Sequence, residues 1–390
     1  MVKTGLDLIS EKFPRELSGK KLGVLCHAPS ITQKFVHITD FLARSGTAKL
    51  AAIYGPQHGV YGQTQDNMIE WEGFEHPVFK VPVYSLYGMH RKPTPGMLKD
   101  IEVLIIDLQD VGARLYTYIW TVKLCMEACS ELGIPVWILD RPNPIGRLPS
   151  DGPVLKEEYF TFVGGACIPL CHRMTIGEMA LWIRSRYCLN CDLKVIWMED
   201  WHRKTMYYET GLPWVLPSPN MPTVQTAAVY PGMVLIEALN ISEGRGTTIP
   251  FELFGAPFID SYKLIRELEK RNIRGCKLRQ HDFIPTFHKF AGLLCHGIQV
   301  HVTDPEEYYP VETALDIFDA IMELFPGEML FNQPPYEYEE KLMPFDILSG
   351  DHGMRKCLIE RNSTEAEKER WRIEIEEFSK AFSMLSVYPE

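Results

Sequence analysis

Val103-Leu104-Ile105-Ile106-Asp107-Leu108-Gln109-Asp110-Val111-Gly112-Ala113-Arg114-Leu115-Tyr116-Thr117-Tyr118 is the stretch that decides the fold class. Its first four residues are apolar, mostly β-branched and do not alternate with polar ones, which suits a strand buried on both faces of a parallel sheet. The character then changes abruptly to acids, an arginine and two tyrosines. A helical pattern over 117–132 follows, closed by Gly133 and Pro135, the usual punctuation after a helix. In open α/β sheets the ligand lies outside the carboxyl ends of the strands, so the polar cluster marks one wall of an expected crevice.

The same unit recurs on either side. Leu22 to Cys26 runs into His27, Leu50 to Tyr54 into Gln57-His58, and Val136 to Leu139 into Asp140-Arg141. A fifth run, Val234 to Leu239, leads to Glu243 and Arg245, and is as compatible with a buried helix as with a strand. Helices are predicted over 32–44, over 95–98 behind Thr94 with proline at the first helical position, and over 175–186. Thr175 and Glu178 have capping-box spacing. Strands alternating with helices imply an α/β architecture with a parallel, doubly wound sheet. From about residue 200 the texture changes. Residues 212–222 form a proline-rich, aromatic loop of the kind that binds ligands. Beyond Ser242 a second α/β unit is expected, with helices over 260–270 and 311–324, a strand over 297–302 and a charged amphipathic helix over 365–382. Two domains are therefore expected, a catalytic one over 1–235 and a smaller auxiliary one over 236–390 that contributes to the cleft.

With 390 residues, 46% hydrophobic and 23% charged, the chain has the composition of a globular protein with a large core. Its formal net charge of −11 argues against a nucleic-acid partner. A few arginines can still hold an anionic small molecule. Residues 1–21 lack the apolar core of a signal peptide, and no run approaches the ~20 apolar residues of a membrane span. The expectation is a cytoplasmic protein without a membrane partner. Ten cysteines are scattered, and the closest pairs (Cys125/Cys129, Cys167/Cys171, Cys188/Cys191) have no matching pair at zinc spacing. They read as free thiols in a reducing compartment. Oligomeric state is not encoded in any of these features.

Each cluster has a functional and a structural reading. Gly55-Pro56-Gln57-His58-Gly59-Val60-Tyr61-Gly62 lacks both G-x-G-x-x-G and the Walker ending. It describes a rigid turn presenting Gln57 and His58, or else a tight turn with a satisfied histidine. In 107–118, tyrosines and Arg114 suit a sugar ring and a carboxylate, against an Asp–Arg pair and core tyrosines. In Asp140-Arg141-Pro142-Asn143-Pro144 the prolines present Asp140, Arg141 and Asn143 rigidly, or Asp140 and Arg141 form a structural network. Glu243 and Arg245 sit among glycines, where backbone and ligand approach closely, and Glu243 is the leading candidate carboxylate. Twelve histidines without His-x-His or His-Glu-x-x-His leave only a dispersed metal site, built from His27, His58, Asp107 and Asp140, as an alternative. No G-x-S-x-G elbow is present, which argues against a serine hydrolase.

Taken in order, these motifs resemble the NamZ-type exo-β-N-acetylmuramidases. The resemblance is carried by Val81-Pro82-Val83-Tyr84-Ser85-Leu86-Tyr87-Gly88 with Arg91-Lys92-Pro93-Thr94-Pro95, by Asp107 to Tyr118, and by Leu139-Asp140-Arg141-Pro142-Asn143-Pro144. Pro217-Ser218-Pro219-Asn220-Met221-Pro222-Thr223 and Asn240-Ile241-Ser242-Glu243-Gly244-Arg245-Gly246-Thr247-Thr248, followed by Pro250-Phe251-Glu252, complete it. It implies a Rossmann-like catalytic domain with a smaller C-terminal auxiliary domain, and release of N-acetylmuramic acid from the non-reducing ends of peptidoglycan fragments. It also implies no nucleotide and no cofactor.

One departure of the chain from the family matters most. Family members usually carry Gly-Pro-Glu-His-Gly, and that glutamate is their leading candidate for a catalytic acid; here Gln57 occupies the position. They also often carry Phe-Arg where this chain has Val60-Tyr61. A glutamine cannot donate a proton as an acid, whereas glycosidases generally need two carboxyls. Three possibilities stay open: a neighbouring acid such as Asp66, Glu70, Asp110 or Glu243 substitutes; the substrate supplies its own acetamido oxygen; or the activity differs. The expected function is an exo-acting glycoside hydrolase on an N-acetylated acidic sugar. Glu243 would be catalytic, Asp140 or Asp110 the second carboxyl, and Gln57 and His58 would contact the acetamido group or the scissile oxygen. Arg114, Arg141 or Arg245 would pair with the lactyl carboxylate, with Tyr116, Tyr118 and Trp214 against the ring and Asn143 and Asn220 as further polar contacts. The alternatives are an amino-sugar-binding protein without turnover and the metal-dependent hydrolase.

Overall fold

A computed structural model describes residues 1–65 and 69–390. The first half runs α1 (Gly5–Glu11), β1 (Lys21–Cys26), α2 (Ile38–Ser45), β2 (Lys49–Gly55), β3 (Phe74–Glu75), β4 (Pro82–Ser85) and α3 (Pro95–Leu98). It continues with β5 (Val103–Asp107), α4 (Tyr118–Leu132), β6 (Val136–Leu139), α5 (Ile176–Arg186) and β7 (Leu193–Ile196). The second half holds α6 (Val224–Met233), β8 (Leu253–Ala256), α7 (Ser261–Leu268), β9 (Cys276–Gln280) and β10 (His296–Val302). Helices α8 (Pro310–Leu324), α9 (Pro344–Ser349), α10 (Gly353–Glu360) and α11 (Thr364–Phe382) complete it.

Seven strands form the main sheet in the order β3-β4-β2-β1-β5-β6-β7. All neighbours pair in parallel except β3 with β4. From β1 the chain builds outward to β2 and β4, then crosses to β5, β6 and β7 on the other side. The order therefore reverses between β1 and β5, where Cys26 pairs with Asp107, and a crevice is expected there. Strands β5 and β6 are buried throughout because helices cover both faces. Leu104, Ile106 and Ile138 pack with Ile119 and Val122 of α4 and Met179 and Ile183 of α5. Val103, Ile105, Trp137 and Leu139 pack with Leu6, Ile9, Ile38 and Leu42 of α1 and α2. A strand covered on both sides has no reason to alternate, so the fold class read from the apolar runs is the observed one.

Local signals placed most helix ends. Gly133 closes α4 at φ 66°, where a Cβ would be strained. Thr175 and Glu178 form the reciprocal capping box of α5. One reading needed correction, and one left open between strand and helix was resolved as helical. Helix α2 begins at Ile38, not at residue 32, because Thr32 Oγ1 accepts from Val36 N at 3.2 Å and holds a turn ahead of the helix. The fifth apolar run is no strand: Val234–Ala238 is a 3₁₀ turn continuing α6, buried all round, so its composition shows no period. In the second half α6, α7 and α8 pack around the antiparallel sheet β8-β10-β9. The core beneath α4 and α5 continues into Ile298, Val300 and Leu315 of that half. No helix among the described residues is long and apolar enough to cross a membrane.

Candidate active site

A cleft opens at the carboxyl ends of β2 and β5. Its walls are Gln57 and His58 after β2, Leu115 to Tyr118 after β5, and Ser218, Asn220 and Met221 from the proline-rich loop. Tyr230, Glu237, Arg245, Phe251, Tyr336 and Glu337 close it from the second half. Its void, open mouth included, is about 510 Å³.

Gln57 is 6% exposed. Its Oε1 accepts from Thr117 Oγ1 at 2.6 Å, which turns the amide nitrogen to the other side, where the side chain hydrogen-bonds Glu337. His58 sits at φ 68°, and its Nδ1 donates to the Thr64 carbonyl at 2.7 Å, which fixes the ring. Tyr118 lies beneath, its hydroxyl donating to the Pro217 carbonyl at 2.6 Å. Tyr116 meets Tyr118 edge-on at 4.7 Å between ring centres. Asn220 donates to the Gln65 carbonyl at 2.7 Å, tying the proline-rich loop to the turn after β2.

Two carboxyls face this cleft from contrasting environments. Glu337 is 4% exposed, and burial pushes its pKa up to about 7, reinforced by the charge of Glu237. The Tyr87 hydroxyl, which donates to it at 3.1 Å, Arg91 and Gln57 oppose that rise. Glu237 is instead ion-paired with Arg245 at 2.7 Å and accepts from the Tyr336 hydroxyl at 2.7 Å. Tyr336 and Glu339 exchange two backbone hydrogen bonds of 2.9 Å around Glu337 and Tyr338. Those two residues have φ values of 43° and 69°, the left-handed backbone of a two-residue hairpin turn. Such turns usually use glycine or asparagine, and each L side chain there costs roughly 1–2 kcal/mol. Strain of this kind gathers at functional sites. One hairpin thus both positions Glu337 and, through Tyr336, braces Glu237. Arg245 is 4% exposed, and its Nη1 has no hydrogen-bond partner among the described residues. That leaves a buried donor for an anionic ligand.

The other sequence-predicted residues are placed away from the cleft walls. Glu243 is sealed from solvent and surrounded by Arg245 at 3.2 Å, His288 at 3.2 Å and Lys289 at 3.1 Å. Burial would raise its pKa, but Lys289, His288 and Arg245 together hold it well below the usual carboxylate range. It serves as a counter-charge that orients Arg245. Asp140 accepts from Thr175 Oγ1 at 2.9 Å, Gly177 N at 2.8 Å and the Tyr388 hydroxyl at 2.6 Å, at the start of α5. Asp110 accepts from Gly112 N at 2.7 Å. Burial pushes both of these acids up to about 7. Arg141 is spent on Asp107, with Nη2 at 2.8 Å from Oδ2. Arg114 donates to the carbonyls of Pro153, Ile168, Leu348 and Ser349. Asn143 braces its own turn through Ile145 N at 3.0 Å, and Trp214 donates to the Met221 carbonyl at 3.2 Å. His27 packs edge-on against Tyr118 at 5.0 Å. Among the described residues no group of three or more His, Cys, Asp or Glu side chains could hold a metal ion. Glu70 accepts from the Tyr338 hydroxyl at 3.1 Å on the surface, and Asp66 lies outside the described residues.

Glu237, Glu337, Thr117, Tyr230, Phe251 and Tyr336 were not predicted from sequence. Glu237 is a lone acid inside the apolar run 234–239, which is itself a signal. Glu337 follows Pro334-Pro335-Tyr336, a proline and aromatic pattern like that of the loop over 212–222.

Sequence models of the exo-beta-N-acetylmuramidase NamZ match the chain twice, the N-terminal domain over residues 22–225 and the C-terminal domain over 228–388. A peptidoglycan beta-N-acetylmuramidase NamZ from Bacillus subtilis (strain 168) is 42% identical over 387 residues, spanning 99% of this chain and 91% of that protein. Two crystal structures of DUF1343 family proteins from Bacteroides fragilis NCTC 9343 share the fold. BF0371 superposes with a TM-score of 0.90 at 32% identity, covering 99% of each chain. BF0379 does so with a TM-score of 0.76 at 29% identity, covering 100% of this chain and 99% of its own.

Proposed function

Because the chain belongs to the NamZ family of exo-β-N-acetylmuramidases, we propose that it is an exo-acting glycoside hydrolase releasing N-acetylmuramic acid from the non-reducing ends of peptidoglycan-derived glycans. The observation that carries the assignment of roles is the pair of carboxyls in one cleft, one buried with its pKa pushed up and the other ion-paired with Arg245. Carboxyls whose surroundings set them apart in this way are the acid and base of a hydrolytic site.

Glu337, with its pKa at about 7, is the general acid. It gives its proton to the glycosidic oxygen as the bond from that oxygen to the anomeric carbon breaks. The Glu237 carboxylate, held by Arg245 and Tyr336, faces the positive charge that develops on the sugar. Water supplies the hydroxyl of the released sugar and, in the end, the proton that restores Glu337. Arg245 Nη1 takes the lactyl carboxylate, and Tyr116 and Phe251 flank the ring. Gln57 holds Glu337 in place and leaves its proton to the leaving oxygen.

A chromogenic β-N-acetylmuramide tests this reading. The wild type should release dye, and Glu337→Gln and Glu237→Gln should each lower kcat by about 10³-fold, as expected for loss of a positioned proton donor or carboxylate. Full turnover in either variant removes that residue from the reaction. Gln57 favours one other reading, binding without turnover. It predicts an inert wild type that binds N-acetylmuramic acid, and hydrolysis appearing in Gln57→Glu.

A further inference from the structure

Beyond the cleft, on the other side of Glu337, lies a second cavity that the roles above leave unused. It is lined by Arg91, Trp120, Lys123, Phe160, Phe162 and Tyr338, with Glu337 shared between the two, and measures about 720 Å³ with its mouth. Two segments divide the cavities: Val163 and Tyr336 line the first cleft, Phe162 and Tyr338 the second, and Glu337 both. Phe162 and Tyr338 meet at right angles, 6.4 Å between ring centres, with Tyr87 behind both at 5.7 and 6.1 Å. The Arg91 guanidinium lies 4.1 Å from the Tyr338 ring centre and 5.6 Å from that of Phe162. It makes no ion pair or hydrogen bond among the described residues, so its donors are available to a ligand.

We propose that this cavity is the leaving-group site: it holds the sugar on the far side of the scissile bond, ring against Phe162 and Tyr338, with Arg91 donating to its hydroxyls. Aromatic faces beside a flat cation are the surface a pyranose packs on. The placement follows from Glu337, because an acid that protonates a glycosidic oxygen must stand between the two sugars that this oxygen joins. The proposal rests on the hydrolase reading and deepens it: the cleft takes one acidic amino sugar, and the second cavity takes the remaining glycan.

The test compares two substrates, methyl β-N-acetylmuramide and the disaccharide of N-acetylmuramic acid β-linked to N-acetylglucosamine. In Arg91→Ala and Phe162→Ala, kcat/KM on the disaccharide should fall about ten-fold further than on the methyl glycoside, the size of one lost stacking contact. Equal losses on both substrates, or no loss on either, overturn the proposal. A wild type that cleaves neither defeats the hydrolase reading instead, and calorimetry then reads the site by itself. The disaccharide should bind about ten-fold tighter than N-acetylmuramic acid alone, and Arg91→Ala should erase that margin. Equal affinities for the two sugars in the wild type overturn the site.

Discussion

Position 57 shows what a single atom exchange does to a site. A glutamate there would set its carboxyl against Glu337, and two like charges at that range force one group to keep its proton. Gln57 removes the second charge, accepts from Thr117 with its carbonyl and hydrogen-bonds Glu337 with its amide. The proton then belongs to Glu337. For the wild type, kcat/KM should decline as pH rises through about 7, where Glu337 ionises. In Gln57→Glu the added negative charge should move that alkaline limb upward by about one unit. Initial rates across pH 5 to 9 check it, and an unmoved limb places the acid elsewhere. The place of position 57 in the cleft wall was legible in the sequence, since its turn ends a buried strand. Its partner was not: Glu337 lies in the last sixth of the chain, and no local pattern connects the two.

At the scale of elements, the loop after the 3₁₀ turn is the instructive case. Gly244 and Gly246 flank Arg245 with φ of 77° and 83°. A Cβ on Gly246 would come within 2.7 Å of the Phe287 carbonyl oxygen. These glycines do mark a close approach, but the approach is of backbone to backbone, and it turns Glu243 inward to Lys289 and His288. Glycine spacing revealed the turn and not the direction of the side chain. Gly246→Ala should cost about 2 kcal/mol or more of stability, from left-handed strain and the displaced segment. It should also lower turnover by loosening Arg245 against Glu237. A urea midpoint equal to that of the wild type would show that the loop tolerates the shift. Helix caps were more legible, because Thr175 and Glu178 or Gly133 act within a few residues and need no distant partner.

Over the whole molecule, burial sets the pH dependence of stability. Asp110, Asp140, Asp151 and Glu337 are each pushed by burial up to about 7. In the unfolded chain such groups ionise near pH 4, so between there and 7 the fold holds protons that the unfolded chain has lost. Their contribution is complete at low pH and disappears as pH rises through 7. Burial acts the opposite way on His172, lowered to about 3, and on His27, which is also lowered. Those histidines favour the unfolded chain as pH falls below about 6.5. Four raised carboxyls outweigh two lowered histidines over that interval, so stability should fall as pH rises from about 4 to 7, with a drop on the order of 2–3 kcal/mol between pH 6.5 and 8. Urea midpoints at pH 6.5 and 8 check this, and equal midpoints would mean that these carboxyls are ionised in the native protein.

The sequence by itself determined the doubly wound sheet, the helices that cover it and the strand ends where chemistry gathers. Each of those depends on periodicity, capping and burial pattern within a short window. Only the tertiary structure decided which polar residues share the cleft. Asp140, Glu243, Arg114 and Arg141 stand in the expected loops, yet their side chains are engaged with framework groups and do not line the cleft. Glu237 and Glu337 come from segments that sequence order separates from the sheet's strand ends. A carboxyl becomes an acid or a counter-charge according to its burial and to the charges around it. Those are contributed by parts of the chain that meet only when it folds.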